Sequence, residues 1–334
     1  MSYCIINSKN FSHNIKVISE HISADKIAFV LKNNAYGHGL IEMAEIAQEN
    51  NIKHAVVINC DEANKIKKYF ESILVLSGIP DKSPSSNIYI AINDIDDIAK
   101  IPSNTKVELK IDTGMHRNGI LVKEFEKAIN KINDANLNLK GVFTHFSNAF
   151  EDDGSMEDQK SIFDKIKSEI KLSMPQVRFH CSSSPGVFRF NNADYDIVRL
   201  GIAMYGYVDL PSNTPKPNLK PVLSLWSEKI SERLVLKGES IGYGRKFKTK
   251  YDMNISTYDI GYGNGFFRLD ENKQFKISDG RDILGRVSMN NLALEGNDNK
   301  ICIFNDVREL SEFHGTISYE ILCRLDSSID KRVI

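Results

Sequence analysis

The stretch Phe29-Val-Leu-Lys-Asn-Asn-Ala-Tyr-Gly-His-Gly39 joins an apolar run to a turn and a helix. The apolar run, residues 27–31, predicts a buried strand that gives way to Lys32, and the asparagines and glycines that follow predict a turn. An amphipathic run over residues 39–49 then predicts a helix. Lys32 therefore lies at the end of a strand, which is where barrels and doubly wound α/β folds place their chemistry.

A lysine at the edge of an apolar core can have a lowered pKa, because burial disfavours the charged ammonium. The neutral amine is then a nucleophile that can form a Schiff base. The alternative is that Lys32 is an ordinary solvated lysine at a strand end, and this stretch alone favours that alternative.

Short apolar runs alternate with helical patterns over roughly the first 200 residues. The predicted strands are 27–31, 54–58, 73–76, 88–92, 107–111, 139–144, 177–180 and 195–198. The predicted helices are 11–22, 39–49, 61–70, 95–100, 123–132 and 156–172. This alternation indicates parallel strands with crossover helices, and about eight such units predict a (β/α)8 TIM-type barrel. On pattern alone, a doubly wound sheet remains an alternative.

The pattern changes after the proline-rich segment 215–221. Short β-rich runs follow at 223–230, 256–260, 276–278, 283–287 and 300–304, with a helical pattern at 318–325. We therefore expect two domains, a barrel over residues 1–219 and a mostly-β domain over residues 220–334.

Composition excludes several classes of function. The net charge of −1 gives no basic field for nucleic acid or an anionic membrane. No apolar run approaches the roughly 18 residues of a membrane span, and the first residues do not resemble a signal peptide. The five cysteines are scattered and form neither a metal-ligand spacing nor a disulfide framework, so we expect no metal and a reducing cytoplasm.

Polar residues also mark the ends of later predicted strands. In Lys110-Ile-Asp-Thr-Gly-Met-His-Arg-Asn-Gly119, Lys110 lies in the strand and Arg117 lies just past it. Two cations near one barrel mouth need an anion, unless the turn is simply solvated. His145, in Thr144-His145-Phe146, ends the sixth strand and is either a site residue or a hydrogen-bonded core histidine.

The last two barrel strands carry features that suit a phosphate. His180-Cys-Ser-Ser-Ser-Pro-Gly186 offers hydroxyls and backbone N–H groups, although such a serine cluster is more often a turn or a helix cap. Arg199 ends the eighth predicted strand, and Gly201 and Ile202 can present backbone amides. Barrels commonly hold a phosphate after strands seven and eight.

These stretches, in the same order across nearly the whole chain, resemble alanine racemases of the fold-type III pyridoxal-phosphate group. Residues 32–39 resemble the motif whose lysine binds the cofactor. The resemblance implies pyridoxal 5′-phosphate held by Lys32, with further cofactor contacts from Tyr36, Arg117, His145, Ser184, Arg199, Gly201, Ile202 and Tyr319. It places Arg117 near the phenolic oxygen of the cofactor and near the substrate, and it marks Lys110 as a possible carbamylated lysine.

The resemblance places Arg199 against the pyridine nitrogen of the cofactor. An arginine does not give that nitrogen a proton, because its own pKa is above about 12. The ring is then a weaker electron sink, which favours return of the proton to Cα.

In the second domain, Ile260-Gly-Tyr-Gly-Asn-Gly-Phe-Phe-Arg268 resembles the segment that carries the catalytic tyrosine of the family, which is Tyr262 here. Racemisation needs bases on two faces of Cα, and the resemblance implies Lys32 and Tyr262. It also implies that Met289 contacts the amino-acid substrate. The family is homodimeric with active sites at the interface, so Tyr262 and Met289 would act in the partner's site.

Three positions depart from the family pattern. Ser183 replaces an asparagine, and Asn264 and Asn290 each replace an aspartate. Two alternatives to an alanine racemase that supplies D-alanine for peptidoglycan remain open. One is a racemase with a broader or different amino-acid range. The other is a noncatalytic pyridoxal-phosphate carrier, which the second domain with Tyr262 argues against.

Overall fold

The computed structural model describes residues 1–269 and 275–334. The strands are β1 (Tyr3–Ile6), β2 (Ile27–Val30), β3 (His54–Val57), β4 (Ser72–Val75), β5 (Ile88–Ile92), β6 (Lys106–Asp112), β7 (Ile120–Leu121), β8 (Asn138–Phe143), β9 (Arg178–His180), β10 (Val198–Leu200), β11 (Leu223–Val235), β12 (Ser240–Ile241), β13 (Phe247–Lys248), β14 (Met253–Tyr258), β15 (Leu292–Glu295), β16 (Lys300–Phe304) and β17 (Asp330–Val333). The α-helices are α1 (Ser8–Ile18), α2 (Leu40–Glu49), α3 (Cys60–Ile66), α4 (Phe125–Asp134), α5 (Ser155–Ser173), α6 (Ser184–Arg189), α7 (Arg308–His314) and α8 (Ser318–Arg324).

The chain forms two compact units. The barrel unit comprises Asn10–Ala35 and Met43–Lys220, and the sheet unit comprises Met1–Lys9, Tyr36–Glu42 and Pro221–Ile334. This grouping differs from the expected division into 1–219 and 220–334, because Met1–Lys9 and Tyr36–Glu42 belong to the sheet unit. At the N terminus the reason is that β1 pairs with β11 and β17.

The barrel unit contains a parallel sheet in the order β10-β2-β3-β4-β5-β6-β8-β9, with eight strands among the described residues. Hydrogen bonds also connect its two ends, because the Asp196 amide donates to the Phe179 carbonyl (3.0 Å) and the Arg199 amide donates to the Ser182 carbonyl (3.1 Å). The predicted (β/α)8 barrel is confirmed as a nearly closed barrel. A doubly wound sheet, which stays open, is excluded.

The strands read as continuous apolar runs because crossover helices cover the outside of a parallel sheet. All four residues of β2 are buried, and so are all four of β4. Helix α5 contributes Phe163, Ile166 and Ile170 to the core, at the i, i+3, i+7 spacing of one helix face.

The eighth barrel strand begins later than predicted. It covers Val198–Leu200 instead of residues 195–198, so Arg199 lies inside it and does not end it. Tyr195 lies outside the strand, where its hydroxyl donates to Asp164 Oδ1 at 2.6 Å and its ring packs on Phe163. This tertiary packing overrides the β propensity of the segment.

The sheet unit is mostly β, as predicted, with strand order β15-β14-β11-β1-β17 and β16 paired with β11. Residues 276–278 and 283–287 are not strands; an isolated bridge joins Lys276 and Asp282. Strands β15 and β17 were not predicted. The sequence of β17 is Asp-Lys-Arg-Val, so pairing with β1 determines its conformation rather than an apolar pattern.

Within residues 1–269 and 275–334, no helix combines the length and the apolar character needed to cross a membrane.

Candidate active site

Lys32 follows β2 and begins a left-handed turn. Asn33, Asn34 and Ala35 have φ values of 54°, 53° and 53°, and Tyr36 has 53°. Left-handed backbone costs an L-residue roughly 1–2 kcal/mol, so this turn needs support from its surroundings.

Two groups of the barrel unit support the turn. The Ala35 amide donates to the Leu31 carbonyl at 2.8 Å. The Glu62 carboxylate accepts from the Asn34 amide and from the Ile58 amide, both at 3.1 Å. Sequence reasoning missed Glu62, which reads as an ordinary acidic residue in the first turn of α3.

A group of cations lies close to Lys32. Burial lowers the pKa of Lys110 to about 8, and Arg117, Arg199 and Lys32 lower it further by repulsion. Lys110 is buried, and its Nζ donates a hydrogen bond to the Asn118 side-chain oxygen. The structure therefore brings together the cations that the sequence placed at separate strand ends.

His145 lies in the same cluster. Burial lowers the pKa of its imidazole to about 3, and the charges of Arg199 and Arg117 lower it as well. Its Nδ1 is 3.3 Å from Arg199 Nη2, which is a donor, so Nδ1 is the acceptor. His145 is therefore a neutral imidazole that carries its proton on Nε2.

Arg199 is buried and has neutral hydrogen-bond acceptors. Its Nη2 donates to the Thr144 carbonyl (2.6 Å) and the Cys181 carbonyl (3.3 Å). Its Nη1 donates to His180 Nδ1 (2.6 Å) and to the His180 carbonyl (3.3 Å). Within the described parts of the chain, no acceptor faces Nε–H. The guanidinium is thus fixed by both Nη groups and retains one free donor.

His180 connects Arg199 to a buried carboxylate. Its Nε2 lies 2.7 Å from Glu108 Oε2, and the Arg178 guanidinium pairs with Glu108 Oε1. Sequence reasoning missed Glu108 and Arg178. The available signal was a second charged residue, Glu108, beside Lys110 in the predicted buried strand Val107-Glu-Leu-Lys-Ile111.

Ser184 begins α6 and is buried. Its hydroxyl accepts a hydrogen bond from the Ala203 amide at 3.2 Å. The amides of Gly201 and Ile202 have no acceptor among residues 1–269 and 275–334. These donors lie after β9 and β10, where the sequence predicted a phosphate site. Among residues 1–269 and 275–334, Ser183 accepts no hydrogen bond from the Arg199 side chain.

In the sheet unit, Tyr262 and Met289 lie on adjacent segments. The Tyr262 amide donates to the Ser288 carbonyl (3.2 Å), and the Gly263 amide donates to the Met289 carbonyl (2.7 Å). Tyr262 is 41% exposed and Met289 58%. Tyr262 also lines a cavity of about 640 Å³ together with Tyr243, Gly244, Arg268, Arg286 and Val287.

The two asparagines that replace aspartates lie in this region. Asn264 Oδ1 accepts from the Gly261 amide at 3.1 Å, as an aspartate oxygen would. The Asn290 side chain lies beside Gly263.

Tyr36 and Tyr319 meet in the sheet unit, with ring centroids 5.8 Å apart. Burial raises the pKa of Tyr36, so its hydroxyl remains protonated and can donate a hydrogen bond. The two tyrosines that the resemblance assigned to the cofactor are therefore neighbours.

The sequence-predicted residues fall into two groups by unit. The barrel unit holds Lys32, Lys110, Arg117, His145, Ser184, Arg199, Gly201 and Ile202. The sheet unit holds Tyr36, Tyr262, Met289 and Tyr319. No metal-binding group of three or more His, Cys, Asp or Glu side chains occurs in the described ranges.

Comparison with known sequences and structures assigns the family. Residues 6–209 match the family described as alanine racemase, N-terminal domain, and residues 222–333 match alanine racemase, C-terminal domain. The alanine racemase of Nitratiruptor sp. is 42% identical over 337 residues and covers 99% of each chain. The alanine racemase of Campylobacter jejuni subsp. jejuni is 38% identical over 335 residues and covers 100% of each chain.

Solved structures agree. The alanine racemase of Clostridium difficile 630 superimposes with a TM-score of 0.89 at 25% identity, covering 100% of this chain and 95% of that one. The alanine racemase of Bacillus anthracis with bound L-Ala-P gives a TM-score of 0.85 at 28% identity, with the same coverage. From its sequence and its fold, the chain belongs to the alanine racemase family.

Proposed function

We propose that this protein interconverts L-alanine and D-alanine with pyridoxal 5′-phosphate, using Lys32 and Tyr262 as two bases. Family membership supports the reaction. The observation that carries the assignment of the site is Arg199, whose Nη groups are bonded to neutral acceptors while its Nε–H has none among the described residues.

The residues present fit this cofactor. The pyridine nitrogen is an acceptor that matches the Nε–H of Arg199. The phosphate is an anion that matches the Ser184 hydroxyl and the amides of Gly201 and Ile202. Tyr36 and Tyr319 would add hydroxyl donors, His145 would lie beside the ring, and Lys32 would supply the amine that holds the aldehyde carbon.

When bound, pyridoxal phosphate supplies an electron sink for the electron pair left at Cα when its proton leaves. The chain controls how strong that sink is. Burial lowers the pKa of Arg199 to about 10, which still leaves the guanidinium charged at neutral pH. Arg199 therefore donates a hydrogen bond but does not give up its proton.

Two bases move the proton between the faces of Cα. Lys32 Nζ would act on one face and the Tyr262 hydroxyl on the other. A tyrosine has an ordinary pKa near ~10 and needs cationic neighbours to act as a base. The exposure of Tyr262 and Met289 suits a role in the site of a partner subunit, so we propose a homodimer with shared active sites.

Arg117 has two roles in this proposal. Its guanidinium would donate to the phenolic oxygen of the cofactor and would attract the carboxylate of the amino acid. Met289 would provide an apolar contact that limits the size of the substrate side chain.

The cellular setting follows from the chemistry. D-alanine is a precursor of peptidoglycan, so we propose a biosynthetic role in the cytoplasm. All five cysteines are free thiols, as expected in a reducing compartment.

A racemisation assay of the purified protein over all twenty L-amino acids tests this function. We expect turnover with alanine to exceed that with every other amino acid, and a Lys32→Ala variant to be inactive. Faster turnover of another amino acid would change the substrate assignment. Cofactor binding without any racemisation would instead identify a carrier.

A further inference from the structure

Glu108 is a buried carboxylate that the proposed reaction does not use. It lies on β6, and its side chain has no exposed surface. It contacts Arg178 and His180 of β9, which β8 separates from β6 in the sheet. A buried anion is costly unless it is paired and hydrogen-bonded, so its surroundings indicate what it does.

The pairing determines the charge of Glu108. Burial raises the pKa of the carboxyl, but Arg178 and His180 outweigh burial and lower the pKa to about 2. Glu108 is therefore ionised at neutral pH and can only accept hydrogen bonds.

The ionised carboxylate determines the tautomer of His180. Burial lowers the pKa of His180 to about 4, so the ring is neutral and carries one proton. Glu108 Oε2 accepts at 2.7 Å from Nε2, so the proton is on Nε2. His180 Nδ1 then has a lone pair, and Arg199 Nη1 donates to it at 2.6 Å.

Ring stacking fixes the plane of His180. The Phe143 ring lies parallel to it, with centroids 5.0 Å apart and planes 4° apart. The same Phe143 ring faces the Arg199 guanidinium at 5.1 Å. His180 therefore has a defined tautomer and a defined orientation, both of which Arg199 needs.

We propose that Glu108 is a positioning residue for Arg199, acting through His180. It provides the negative charge that the neutral acceptors of Arg199 lack, and it keeps His180 Nδ1 available as an acceptor. The predicted effect on catalysis rests on the proposed function. The predicted effect on the Arg199 side chain does not.

The structural consequence is tested in cofactor-free protein by NMR of the arginine side chains. A guanidinium held by both Nη groups gives separate Nη–H signals, whereas a rotating one gives averaged signals. We expect separate signals for Arg199 in the wild type and averaged signals in Glu108→Gln, which keeps the shape and removes the charge. Separate signals in the variant would overturn the proposal.

The catalytic consequence is tested by a double-mutant cycle with Glu108→Gln and His180→Asn. We expect Glu108→Gln to lower kcat about ten- to a hundredfold, by analogy with groups that orient metal ligands through hydrogen bonds. The change in KM should stay below about threefold. In the His180→Asn background, the same change should have an effect below about threefold, because the connection is already broken. Full and independent effects of the two substitutions would show that Glu108 does not act through His180.

Two further variants serve as controls for these experiments. Glu71→Gln makes the same chemical change at an exposed carboxylate of the barrel unit and should change neither readout. If Glu108→Gln does not fold, Glu108→Gln with Arg178→Met removes the buried carboxylate together with its partner charge and should still give averaged Arg199 signals. Separate signals in the double variant would also overturn the proposal.

The outcomes separate the two proposals. A wild-type protein that neither binds pyridoxal phosphate nor racemises alanine would refute the proposed function and leave the NMR result valid. A normal enzyme whose Arg199 signals do not respond to Glu108 would refute only the positioning role.

Discussion

The Lys110 ammonium donates a hydrogen bond to the side-chain oxygen of Asn118, eight residues further along the chain. The bond holds a buried cation in a cluster with Arg117, Arg199 and Lys32, and their mutual repulsion contributes to the lowered pKa of Lys110. A pKa of about 8 makes the neutral amine accessible near neutral pH. That neutral amine can react with CO2 to give a carbamate and one proton. Counted from the Lys110 ammonium, two protons are released and a positive charge becomes a negative one.

We predict that Lys110 carries a carbamate that pairs with Arg117. A planar carbamate matches the guanidinium fork as a carboxylate does, and the Asn118 amide can rotate to donate its NH2 group. High-resolution electron density beyond Lys110 Nζ would show the carbamate. Lys110→Ala should lower activity, and added acetate or chloride should partly restore it. Full activity in Lys110→Ala without added anion would exclude a role for this lysine.

Lys32 should be the residue that binds the cofactor. Borohydride reduction followed by peptide mapping is expected to give a pyridoxyl adduct on Lys32, because it is the lysine presented by the left-handed turn after β2. Lys110 is the internal control, since it is the other lysine of the cation cluster. An adduct found mainly on Lys110 would reverse the assignment.

Tyr262→Phe should retain cofactor absorbance and the oligomeric state but lose turnover. Loss of a general base usually lowers the rate roughly 10²- to 10⁴-fold. Steady-state racemisation in both directions measures the effect. Tyr243→Phe, which alters another tyrosine of the same cavity, is the matched comparison and should have the smaller effect. Equal turnover in Tyr262→Phe and the wild type would leave Tyr262 with a structural role only.

Asn264→Asp should be nearly neutral, because either side chain offers an oxygen to the Gly261 amide. Asn264→Ala removes that acceptor, and we expect it to reduce kcat by loosening the turn that carries Tyr262. The lost hydrogen bond corresponds to about 1 kcal/mol of stability. Thermal unfolding and kcat, measured for both variants, check this prediction. A loss in Asn264→Asp as large as that in Asn264→Ala would mean that the charge of this side chain matters more than its oxygen.

Acid should destabilise the cofactor-free protein already at pH values above those at which carboxylates titrate. The folded-state pKa values of His145 and His180 are lowered to about 3 and about 4, whereas the unfolded chain has a value near ~6.5. Between these values the unfolded state binds more protons, so stability is present above pH ~6.5 and is lost as pH falls toward 4. Going from pH 8 to pH 5 should cost on the order of 2 kcal/mol per histidine.

Urea unfolding at fixed protein concentration over this pH range measures the effect. His180→Gln should remove part of the pH slope, whatever it does to stability at pH 8. A slope that is the same in His180→Gln and the wild type would contradict the contribution of His180.

The sequence pattern predicted alternating strands and crossover helices and marked the polar residues at the strand ends, but it left a doubly wound sheet open. Buried parallel strands must be apolar along their length, and crossover helices must be amphipathic, so both patterns are visible in one chain. Lys32, Arg117 and His145 were recognisable because polar residues directly after apolar runs mark the functional edge of a barrel.

Which side chains meet depends on the tertiary structure. Glu108 and His180 are 72 residues apart, and His180 and Arg199 are 19 apart, so no local pattern couples them. The same holds for β17, where three charged residues form a strand because β1 offers unpaired backbone groups. Local sequence fixes helix and strand periodicity, whereas hydrogen bonds between distant segments depend on how the barrel closes.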